Sequence, residues 1–165
     1  MRFTLLLMTV SLASCISFSR NEPLPEDQFG HRLEGTTDDG RTTIAINPPA
    51  ADVEYRYFPA PYESISVRPG PSGSMGDASS DAGVQVEILV KGAFPDACSE
   101  LHDVSQQRNG RFLDITLQMR RPVGSVCAAV LRPYRFYLTL EGRYPPGAYT
   151  LTLNGRTTPF EITGG

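Results

Sequence analysis

Polar and apolar residues alternate through most of the second half of the chain. Glu63-Ser64-Ile65-Ser66-Val67, Val84 to Val90 and Phe112 to Met119 each repeat with a period of two. That period predicts strands with one buried and one wet face. Leu101 to Gln107, Tyr134 to Leu140, Tyr149 to Leu153 and Thr157 to Thr163 extend the series to about seven short strands. Asn109-Gly110 and Asn154-Gly155 predict two-residue hairpins, because both residue types tolerate positive φ. Helical periodicity of any length is missing. The pattern predicts an all-β fold, an antiparallel β-sandwich over residues 60–165.

The first third reads differently. Residues 15–59 begin acidic and broken by Pro and Gly, which predicts a Pro/acidic tether, partly ordered where Arg41 to Ile46 alternates. Residues 69–83, around Met75, predict a long flexible loop. Composition agrees with turns and short strands: 15 Gly, 14 Pro and no Trp in 165 residues. The net charge of −3 is concentrated before residue 84, and only Lys91 is a lysine. No basic run is dense enough for binding nucleic acid by counterion release.

The chain opens MRFTLLLMTVSLASC, with one positive charge, a short apolar run and small residues before Cys15. This is the layout of an export signal, and the apolar run is far short of the ~20 residues that span a bilayer. Leu12-Ala13-Ser14-Cys15 resembles the lipobox of bacterial lipoproteins. The resemblance implies that residues 1–14 are a signal peptide removed at Cys15. It also implies a diacylglycerol on that thiol and an acyl chain such as palmitate on the new amine. Ile16, in place of an aspartate, favours the periplasmic face of the outer membrane over the plasma membrane. Lipidation of Cys15 leaves Cys98 and Cys127, and in an oxidising compartment an even remainder predicts a disulfide.

The stretch YPPGAYTLTLNGRTTPF resembles the final strands of immunoglobulin-like modules in bacterial exported proteins. The earlier runs APYESISV, GAFPDACSE and RRPVGSVCAAV look like a family of small bacterial lipoproteins and secreted proteins with the same paired cysteines. Together the resemblance covers about residues 60–163. It implies a disulfide-stapled immunoglobulin-like sandwich and is nearly silent on function.

Candidate chemistry is sparse. His31 and His102 are the histidines, and neither accompanies a Gly-x-Ser-x-Gly elbow. Asp96, Glu100 and Asp103 cluster near Cys98, where solvated loop charges are the ordinary reading. The spacing of Cys, His and acids predicts no metal site, and the only cofactor expected is the covalent lipid on Cys15. Arg120, Arg121, Arg132, Arg135 and Tyr137 form the candidate partner-binding set, since Arg offers forked contacts and Tyr rigid amphipathic area. Alternation places Tyr134, Phe136 and Leu138 on one face and Arg135 and Tyr137 on the other.

The expected function is that of a non-catalytic envelope lipoprotein, held to the membrane by its lipid and presenting its module to an envelope protein partner or as envelope structure. The alternative is a small periplasmic module that binds a ligand or inhibits a protease through the 69–83 loop. An enzyme built on His102 and Asp103 is third.

Overall fold

A computed structural model describes residues 27–69 and 83–163. They form a two-layer all-β sandwich, as the alternation predicts. One sheet has the order β1-β9-β6-β5, from Asp27–Phe29 (β1), Arg132–Thr139 (β9), Val86–Phe94 (β6) and Tyr62–Pro69 (β5). The other runs β11-β10-β8-β7-β3-β2, from Arg156–Ile162 (β11), Gly147–Leu153 (β10), Phe112–Pro122 (β8), Glu100–Asn109 (β7), Arg41–Ala45 (β3) and Gly35–Asp38 (β2). Tyr55–Pro59 (β4) also pairs with β8, in line with β10. Gly30–Arg32 is a single 3-10 turn after β1.

Alternating side chains from both layers make one core. Ile88 and Val90 of β6 and Phe136 and Leu138 of β9 belong to the same buried cluster as Ile115 and Leu117 of β8 and Leu151 and Leu153 of β10. Tyr149 donates its hydroxyl to Pro145 O at 2.8 Å, four residues back. A tyrosine hydroxyl returned to the backbone a few residues upstream is also the contact made in the tyrosine corner of immunoglobulin-like sandwiches. The Tyr144 ring packs edge-on against Tyr149, and burial pushes its hydroxyl up to about 12 despite the Arg108 guanidinium beside it.

Three expectations change. The tether over 15–59 does not hold from Asp27 onward, because β1 to β4 are all strands of the sandwich. The exposed β2 has no buried side chain and is held by its backbone ladder to β3, so it carries no hydrophobic signal. Residues 15–26, including Cys15, lie outside the described residues, as do 70–82 of the predicted loop. Second, the sheets are mixed: β10 runs parallel to β8, and β1 parallel to β9. The chain leaves β8 for β9 in the other sheet and then returns, and two reversals restore the original direction. Third, the β7–β8 hairpin turns at Gly110-Arg111, since Asn109 is paired with Phe112. Only Gly110 needs positive φ there, at 61°, whereas Asn154 (47°) and Gly155 (81°) turn together as predicted.

Asn154 also joins two strands. Its side chain accepts from Leu117 N–H at 3.0 Å and donates to Leu117 O at 3.0 Å and Ala60 O at 3.1 Å. It thereby fills the gap in the β8 ladder between the end of β10 and the end of β4. Asn154→Ala removes these bonds and places Ala at positive φ, an expected loss of about 2–3 kcal/mol. Urea unfolding checks this, and Asn154→Gly separates the two causes by restoring only the backbone freedom.

Candidate functional site

The described chemistry gathers at one pole of the sandwich, where β6, β8 and β3 end and β7, β9 and β4 begin. Two loops meet there, 95–99 after β6 and 123–131 between β8 and β9. Cys98 and Cys127 form a disulfide between them, with Cα atoms 5.7 Å apart. Ala97 N–H adds a hydrogen bond to Ala128 O at 3.0 Å. The cysteine arithmetic of the sequence thus places a staple at a pole, in contrast to the inter-sheet disulfide of antibody domains.

Asp96 organises the first loop. Its Oδ1 accepts from the Cys98 and Ser99 amides at 2.9 and 2.8 Å and from Ser99 Oγ at 2.9 Å. Arg121 Nε lies 2.8 Å from Oδ2, an ion pair whose angle falls short of a hydrogen bond. Burial opposes the charged carboxylate, but the Ser99 hydroxyl, the two amides and the Arg121 charge together hold its pKa below the ordinary value. A lowered folded pKa stabilises the fold above the unfolded value, and that contribution disappears as pH falls through the folded one. Asp96→Asn is therefore expected to cost about 1–2 kcal/mol at pH 7 and to flatten the acid limb of the stability–pH curve. Thermal melts between pH 7 and 2 read both effects.

The predicted partner-binding residues divide by role. Arg120 is 5 % exposed, donates through Nε and Nη2 to Glu100 Oε1 at 2.8 and 2.7 Å, and lies 4.2 Å from the Tyr55 ring centroid. It braces β7 against β8 and is removed from the contact surface, because a guanidinium taken out of water needs its carboxylate. Arg132 donates to the Ser99 and Asp96 carbonyls, so with Arg121 it holds the 95–99 loop. Tyr137 is half-buried beneath β1, stacked on Phe29 with centroids 5.0 Å apart. Arg135 remains the open member, with Asp27 Oδ1 3.9 Å away. The five side chains do not form one surface. The inward set, Tyr134, Phe136 and Leu138, is buried as alternation requires.

His102 Nε2 is 3.6 Å from Asp103 Oδ2, while its Nδ1 is 3.2 Å from Asn47 O and its ring packs against Tyr57. Burial raises the Asp103 carboxyl above the ordinary range against the opposing pull of His102. His31 lies far from this pair in the fold, 3.8 Å from Glu87 on β6. Asp96, Cys98 and Cys127 come close enough to suggest a metal cluster, but the two sulfurs are bonded to each other. A cavity of about 330 Å³ opens at the same pole, with Gln28, Asn47, Phe94, Cys98 and Arg132 in its wall.

Sequence reasoning passed over the 123–131 loop itself. From Val123 to Leu131 it reads VGSVCAAVL, nine residues without a charge. Val126 is fully exposed and Leu131 is 73 % exposed, with Val123 and Val130 also open. The available signal was an uncharged apolar run between Arg121 and Arg132 that no strand partner claims.

Comparison with known proteins adds kin to this geometry. In Herpetosiphon aurantiacus, the uncharacterized 10.2 kDa protein in the HgiCIIM 5′ region is 29 % identical over 70 residues, covering 42 % of this chain and 74 % of that one. A second, in the HgiBIM 5′ region, is 26 % identical over 70 residues, covering 42 % of this chain and 85 % of its own. No solved structure gives a significant match. Residues 88–162, from within β6 to the end of β11, match the ORF11 beta-sandwich domain, so the strands that carry the staple and its loop are similar to that family.

Proposed function

We propose that this protein is a lipid-anchored component of a bacterial envelope whose sandwich works by contact and carries out no catalysis. The observation that carries the reading is the division of the three cysteines. Cys98 and Cys127 are paired, which suits an oxidising compartment, and Cys15 is left at the end of a lipobox-like stretch. The periplasmic face of the outer membrane is the favoured address. A lipid serves such a chain well, since among the described residues no helix is long and apolar enough to cross a membrane. The contact role rests on the braced pole and on Arg135, the exposed member of the set, which reaches outward beside Asp27.

Intact mass of the protein extracted from its native membrane tests the reading. Loss of residues 1–14, acyl mass on Cys15 and a gain of two hydrogens on reduction are expected. An uncleaved, unmodified chain with three free thiols would overturn it. For the contact role, Arg135→Ala is expected to weaken crosslinking to an envelope protein, with only a small drop in melting temperature from the lost Asp27 pair.

A further inference from the structure

We infer that the 123–131 loop rests on the surface of the bilayer that holds the Cys15 lipid, an inference that depends on the anchor proposed above. The first observation is chemical. Nine consecutive residues lack charge, and Val123, Val126, Val130 and Leu131 face outward. An exposed apolar patch of this kind marks an interaction site. Its side chains are aliphatic and small, whereas anchors of protein interfaces are enriched in Trp, Tyr and Arg. A lipid surface matches them better.

The second observation is geometric and independent of the first. β1 runs parallel to β9 with Asp27 opposite Arg135, so the described chain enters the sandwich at the end where β9 begins. β9 begins at Arg132, directly after the loop. Gln28 and Arg132 share the wall of one cavity, which fixes the two at the same pole. Between Cys15 and Asp27 the chain spans at most ~40 Å fully extended and ~20 Å as a flexible coil. An eleven-residue strand such as β8 is itself ~37 Å long. Facing the opposite pole to the bilayer would require the connecting chain to run nearly straight along the whole sandwich. Facing the loop to the bilayer requires little of that reach.

The staple gives the loop its form. Val123 N–H bonds to Glu54 O, Ala97 N–H bonds to Ala128 O, and the disulfide ties Cys127 down between Val126 and Val130. Val126 and Leu131 therefore point away from a fixed base. Irregular backbone cannot sit in the hydrocarbon without satisfied polar groups, so the loop lies at the level of the headgroups and outer acyl carbons. Arg121 and Arg132 flank it, with their guanidinium groups engaged by Asp96 and by the Ser99 and Asp96 carbonyls of the 95–99 loop. Asp52 and Glu54 on the neighbouring loop offset them, so apolar contact, with no demand for anionic lipid, supplies the attraction.

The absence of tryptophan from the chain makes the test direct. V126W, and separately L131W, would be purified as the full acylated chain and reconstituted in phosphatidylethanolamine–phosphatidylglycerol vesicles with and without brominated lipid. F112W is the control, since Phe112 is 67 % exposed on the β7–β8 hairpin at the other pole. Expected are co-flotation of all three variants and about twofold quenching of V126W and L131W by bromolipid, with F112W unquenched and phosphatidylglycerol dispensable. Flotation without quenching at either loop position overturns the inference and leaves the anchor standing. Equal quenching at both poles also overturns it. A probe shielded in native membranes but water-exposed on protein-free vesicles assigns the loop to a protein partner instead. Failure to float at all overturns the anchor, and the inference falls with it.

Discussion

Replacing Cys98 or Cys127 by Ser is expected to remove roughly 3–4 kcal/mol of stability. The staple closes a loop of 29 residues, and the chain-entropy account gives a gain of that size for such a loop. For a domain of this length the loss lowers the melting temperature by on the order of 10 °C. Cys98→Ser and the double variant Cys98→Ser/Cys127→Ser are expected to melt within a degree or two of each other, since the second substitution removes nothing the first has left. The Asp96 hydrogen bonds to the Cys98 and Ser99 amides persist in both variants, so the 95–99 loop keeps its shape. Calorimetry on oxidised, reduced and substituted protein measures all three quantities. A reduced protein as stable as the oxidised one would show that the loops are set by Asp96 and Arg132 alone.

Phe136→Ala is expected to cost about 3–5 kcal/mol, the range for truncating a fully buried aromatic. Phe136 is central in β9, opposite Val90 of β6, and its side chain is buried in the common core. Its ring also closes against Gly30, where a Cβ would stand 2.6 Å from Phe136 Cζ. The two positions are therefore coupled. Gly30→Ala alone is expected to cost about 1–3 kcal/mol by overpacking. Combined with Phe136→Leu, which vacates the ring position, the pair should cost less than the sum of its members by about 1 kcal/mol. A double-mutant cycle by urea unfolding reads the difference directly, and strict additivity would mean that the 3-10 turn moves aside on its own.

The fold was legible where burial imposes a period. β6 through β11 alternate because each strand has one face in the core, and Asn154-Gly155 turns where its chemistry allows. Alternation carries no direction, however, so the parallel pairs β8–β10 and β1–β9 left no trace in it. β2 lacks any inward side chain, and Asp39-Gly40, a hairpin signal with both φ angles positive, was hidden in an acidic stretch that resembles a tether. At the pole, the paired cysteines could be counted, but the fate of the arginines could not. Whether Arg120 meets solvent or Glu100 depends on a bulged register between β7 and β8 that sequence spacing does not encode. The exposed apolar loop was readable in composition, but its place at the pole where β1 enters depends on the β1–β9 pairing, which composition does not carry.

Under the export proposed above, in which the chain crosses a membrane front end first, the pairing of β1 with β9 would set an order of events. Asp27 finds its neighbour Arg135 roughly a hundred residues later, and such distant closures are the slow steps of folding. The leading segment must wait, unpaired, until β9 has emerged and settled on β6. During that interval any lipid already attached at Cys15 would hold the front of the chain at the membrane while the remainder completes the sandwich beside it. On that proposal the last strand to dock is β1, the one nearest Cys15 in sequence, and folding would finish at the membrane surface.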